Sequence, residues 1–137
     1  MSLASDDVAV RRGPLVVAGG VVAAIVVAAA ADALIAVLAL AAGAPDDFQP
    51  LMVSSYVFLT AVGVTGGAIG WSVVRKVSKD PAALVRWLAP VLVVVSFVPD
   101  FLLFGDGGVT GVAALLMMHV VVAVVAVFTY RKVMPLS

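Results

Sequence analysis

Three ionisable side chains stand inside otherwise apolar stretches of this 137-residue sequence: Asp32, Asp100 and His119. An acid at the centre of a membrane span costs about 2.5–3.5 kcal/mol on insertion scales, so such a group needs a partner or a task. A carboxyl and an imidazole within hydrogen-bond reach can exchange a proton, which serves acid–base catalysis or a proton relay. Each also has a plainer reading. His119 can be a neutral imidazole bonded to one carbonyl between helices, Asp100 a cap where its span meets water, and Asp32 a protonated acid packed between helices. Ser96 lies one turn before Asp100. Pro99 offers no amide to the Val95 carbonyl, so a kink is expected there, with hydroxyl, carbonyl and carboxyl gathered on one helix. His119 is the single histidine, and cysteine and glutamate are absent. Disulfides, thiol chemistry, and a structural zinc or two-histidine haem site built from one copy are therefore excluded. No metal or other cofactor is expected.

A second pattern uses small residues. Tyr56, Thr60, Gly63, Gly67 and Gly70 recur at spacings of four, three, four and three, which is one helical face. Gly63 with Gly67, and Gly66 with Gly70, form small-xxx-small pairs that let two backbones approach closely. The expected role is helix packing within the bundle. The sharper readings are a homodimer interface or a groove for a lipid tail.

The elements that must position these groups follow from composition. Hydrophobic residues make up 64% of the chain and charged residues 12%, and the net charge is +0. That balance excludes a disordered chain, a nucleic-acid binder with a basic face, and a soluble fold of this size. Four apolar stretches, residues 15–42, 50–74, 82–104 and 109–130, are each long enough to cross a bilayer. The small residues 28–31 before Asp32 look like a signal-peptide cleavage region, but the apolar run resumes over 33–42, so the stretch reads as a full span. Asp80 before Pro81 is a helix N-cap with proline at the first helical position. Gly105-Asp106-Gly107-Gly108 reads as a turn.

Every lysine and arginine falls on one side of a four-span arrangement: Arg11 and Arg12, then Arg75, Lys76, Lys79 and Arg86, then Arg131 and Lys132. The other side carries Asp46, Asp47 and Asp106. The expected fold is therefore all-α, a polytopic membrane protein built as a four-helix up-down bundle over residues 1–137, with both termini cytoplasmic. Trp71, Trp87 and Tyr130 lie near the inner boundary, where amphipathic rings anchor. Asp32 and Asp100 share a depth of about 27 Å from that boundary, with His119 roughly two turns deeper. One interior cluster of Asp32, Ser96, Asp100 and His119, with Tyr56 beside it, is the expectation.

Several segments resemble one family. Residues 60–68 resemble the small-residue motif of the DUF6069 family, uncharacterised four-span proteins of actinobacteria and haloarchaea. Ser78-Lys79-Asp80-Pro81 with Trp87 resembles its inner loop, and Asp46-Asp47-Phe48-Gln49-Pro50-Leu51 fits its outer turn. The strongest likenesses are Ser96-Phe97-Val98-Pro99-Asp100 and Met118-His119-Val120-Val121. Asp32 stands where the family pattern leads one to expect Asn. The resemblance covers nearly the whole chain and implies four membrane helices in a prokaryotic plasma membrane, with no established activity.

The leading functional reading is a structural module or one that binds a lipid or small amphiphile through the polar cluster. A homodimeric proton-coupled transporter or channel is the alternative, and a membrane enzyme using an Asp–His pair the third. Expected partners are membrane lipids and a second copy of the chain, with no nucleic acid.

Overall fold

A computed structural model describes residues 12–136. Four helices follow one another: α1, Pro14–Ala41; α2, Val53–Val77; α3, Pro81–Phe101; and α4, Phe104–Val133. A single 3-10 turn, Gln49–Leu51, precedes α2, and no strand occurs among the described residues. All four helices are long and apolar enough to cross a membrane. The shortest, α3, has 21 residues and rises about 31 Å, close to the hydrocarbon thickness of a bilayer.

Local chemistry sets the helix ends. Pro14 and Pro81 occupy first-turn positions. The Asp80 carboxyl caps α3 by accepting from the Ala83 amide at 3.0 Å. α1 closes in a Schellman motif: Gly43, at φ 101°, lets Ala44 N–H reach the Ala39 carbonyl and its own N–H reach Leu40. Arg75 and Lys76 end α2, and Arg131 and Lys132 end α4, where cations oppose the helix dipole. The glycine-rich stretch after α3 differs from a plain turn. Residues from Phe104 already coil, and the chain breaks only at Gly108, whose φ of 62° favours glycine. The second and fourth helices also run three residues further than hydropathy alone suggests, to Val77 and Val133, because the terminal cations continue the helix.

Contacts between residues far apart in the chain fix an up-down topology. Arg12 Nε donates to the Lys132 carbonyl at 3.1 Å, and Trp71 Nε1 to the Met134 carbonyl at 2.9 Å, so the start of α1 and the ends of α2 and α4 share one end. All described lysines and arginines lie at that cationic end; Arg11, grouped with it by sequence, lies outside the described residues. The acidic end carries Asp46, Asp47 and Asp106.

α1 packs most extensively on α4 and then on α2, while α3 leans on α4 and touches α2 lightly. The α1 seam consists of Ala24, Ala28, Asp32, Ala36 and Ala39, small residues on one face that admit α4 closely. Buried side chains, mainly of α1, α2 and α4, form two core clusters, one toward each end. From α3 only Val85 and Asp100 are buried. Trp71 and Tyr130 belong to this core and are not boundary anchors: they are 6% and 3% exposed, meet at a tilt of 55° with ring centroids 5.4 Å apart, and bond to Met134 and Val64 carbonyls. A partner carbonyl inside the bundle satisfies each polar tip, so neither ring needs the membrane surface. Trp87 alone of the three faces outward.

Candidate functional site

Two polar pairs form toward the acidic end, and helix direction explains both. Side chains lean toward the N-terminus of their own helix. Those of α1 and α3 therefore lean toward the cationic end, those of α2 and α4 toward the acidic end. Asp32 and Thr60 lie about 27 and 26 Å along the bundle from the cationic ends of α1 and α2. Thr60 Oγ1 donates to Asp32 Oδ2 at 2.6 Å. Asp100 and His119 lie about 28 and 21 Å along theirs. The opposed leans close that difference, and His119 Nδ1 comes 2.9 Å from Asp100 Oδ2. The depth offset expected from sequence is thus bridged by side-chain direction, which span counting ignores.

His119 Nδ1 also lies 2.8 Å from the Leu115 carbonyl. A carbonyl cannot donate, so Nδ1 carries the proton and points it at Leu115. Asp100 Oδ2 sits beside the ring nitrogen without receiving a hydrogen bond of its own. Asp32 Oδ1 is likewise buried and unpartnered. Asp32 is 1% exposed and Asp100 7%. Phe97 meets the His119 ring edge-on at 6.1 Å.

Ser96 does not join Asp100 by hydrogen bond. Its hydroxyl donates to the Val93 carbonyl at 2.6 Å, one turn back on its own helix, the local bond that serine makes readily inside a helix. Tyr56 is buried one turn from Thr60. The partner that sequence reasoning left out of the cluster is Thr60, read only as part of the glycine face. The signal was its depth, which equals that of Asp32 on an antiparallel span.

Asp32, Tyr56, Thr60, Ser96, Asp100 and His119 all line one cavity of about 1010 Å³ between α2, α3 and α4. The remaining wall is mainly valine, leucine, alanine and glycine, and among the described residues no lysine or arginine lines it. The glycine face departs from the expected helix contact. Only Gly67 is closely covered, by the Tyr130 ring, whose hydroxyl would lie 2.7 Å from an added Cβ. At Gly63, Gly66 and Gly70 an added Cβ would meet nothing within 4 Å. Like Gly67 they line the cavity and are exposed, and α3 touches α2 only lightly. The cavity therefore opens sideways between α2 and α3. At the cationic end Trp71 and Tyr130 form its floor, and the Tyr130 hydroxyl donates to the Val64 carbonyl.

A model of the DUF6069 family, described as a family of unknown function, matches residues 5–135. The chain belongs to the DUF6069 family. It matches no curated protein and no solved structure. Both polar pairs and the glycine-lined opening of this DUF6069 chain fall inside the matched residues. Among the described residues, no three His, Cys, Asp or Glu side chains of the DUF6069 chain come together as a metal site would need.

Proposed function

We propose that this multi-pass membrane protein binds a single-chain amphiphile, its tail entering from lipid between α2 and α3 and its head meeting the Asp32–Thr60 and Asp100–His119 pairs. The observation that carries this reading is the lining of the cavity, mainly apolar side chains of α2, α3 and α4 bordered by the α2 glycines, with Asp32, Thr60, Asp100 and His119 converging on it. Ligand sites have this character, mostly apolar walls with a few convergent polar groups, and the volume suits a molecule of drug or lipid size. The membrane assigned is the plasma membrane of a prokaryote, with the cationic end toward the cytoplasm.

Trp71 lines the floor of the cavity, so a brominated tail should reach and quench it. In a Trp87→Phe background, which removes the outward-facing tryptophan, a brominated long-chain alcohol should quench fluorescence saturably in lipid nanodiscs. Quenching that only rises linearly with membrane loading would overturn the reading.

A proton-coupled transporter is the second reading, favoured by the adjacent Asp100 and His119. It needs a route past the Trp71–Tyr130 floor. Proton flux into liposomes, lost on Asp100→Asn, would support it over a binding module. The enzyme reading has less support, since the Ser96 hydroxyl is turned to Val93 and not to the pair.

A further inference from the structure

Resting on that reading, we infer that the head group taken by this cavity is a hydrogen-bond-donating cation, a long-chain primary amine in preference to an alcohol or a carboxylate. The polar end presents acceptors in excess. Asp32 Oδ1 and Asp100 Oδ2 are both buried and receive no hydrogen bond, Asp100 Oδ2 having only its contact with His119 Nδ1, and both belong to residues lining the same cavity. The donors at hand are already engaged: Thr60 with Asp32 Oδ2, His119 Nδ1–H with Leu115, and Ser96 with Val93. An unpaired buried acceptor loses its hydration without compensation, so a ligand that donates to it gains the most.

Charge points the same way. The lining residues include two acids, one histidine, and no lysine or arginine. An ammonium brings three donors and a positive charge to a site that has acceptors to spare. An alcohol brings one donor and serves one of them. A carboxylate would add a third acid beside two, with no cationic side chain to hold it. The opening between α2 and α3 is bordered by Gly63, Gly66 and Gly70, so a head can slide past with its tail still in lipid.

The test uses three brominated amphiphiles of equal chain length, with amine, alcohol and carboxylate heads, titrated at neutral pH against the Trp87→Phe protein in zwitterionic nanodiscs. The amine should saturate Trp71 quenching at a mole fraction at least tenfold below the carboxylate, with the alcohol between. Asp32→Asn keeps an acceptor for Thr60 and removes the acid. It should weaken the amine about tenfold and the alcohol by less, so the amine-to-alcohol ratio falls. Asp100→Asn should lower the same ratio and serves if the first variant folds poorly. A carboxylate that binds as well as the amine, or a ratio unmoved by both variants, overturns the amine assignment while leaving amphiphile binding in place. Failure of all three probes to saturate overturns both.

Discussion

At the residue scale the Thr60–Asp32 bond is the most exacting contact of the molecule. Asp32 is 1% exposed, and Thr60 is the one donor that its carboxyl has among the described residues. Thr60→Val keeps the shape and deletes the donor, leaving both carboxyl oxygens buried without a partner. Such an orphaned group costs about 1–3 kcal/mol. The expected outcome is a clear fall in unfolding temperature in detergent, with Thr60→Ser near wild type because it restores the hydroxyl. Equal melting of the valine and serine variants would mean that the bond contributes nothing. The Asp100–His119 contact behaves differently. His119 keeps its Leu115 bond whatever happens to Asp100, so Asp100→Asn should be far milder than Thr60→Val in the same assay.

At the element scale the glycines of α2 divide into two kinds. An added side chain at Gly67 strikes Tyr130, whose ring is held by its bond to Val64 and its tilted contact with Trp71. Gly67→Leu should therefore destabilise by about 1–3 kcal/mol, the usual cost of overpacking. Gly63→Leu meets open space and should leave the melting temperature within a few degrees. Its side chain projects into the cavity, so it should weaken binding of the brominated alcohol severalfold. Four spans, the segregated cations and the depth of each polar residue were legible in the sequence, since hydropathy and charge report them directly. The pairing of acids with partners was not, because it depends on which helices are neighbours and on the lean of each side chain. The role of the glycine face was also hidden. Small residues permit close approach but do not require it, and α3 keeps its distance from Gly63, Gly66 and Gly70.

At the scale of the whole molecule, apolar side chains such as Val26, Leu38, Phe58, Leu92 and Phe128 lie exposed around the outside, while the charges, apart from Asp32 and Asp100, gather at the two ends. A soluble monomer rarely exposes apolar surface on this scale, and a bilayer is the solvent that suits it. The two ends differ in sign. The described lysines and arginines all occupy one, and Asp46, Asp47 and Asp106 the other. Cationic loops stay on the cytoplasmic side because moving them across the membrane is opposed, whereas short acidic loops cross freely. Asp46→Cys, in the loop after α1, should then react with a membrane-impermeant thiol reagent in intact cells. Ser78→Cys, between α2 and α3, should react only after permeabilisation. No native cysteine interferes. The reverse labelling pattern would invert the protein and turn the polar end of the cavity toward the cytoplasm. The amine would then reach Asp32 and Asp100 from the inner leaflet, so the same two labels decide which leaflet supplies the ligand.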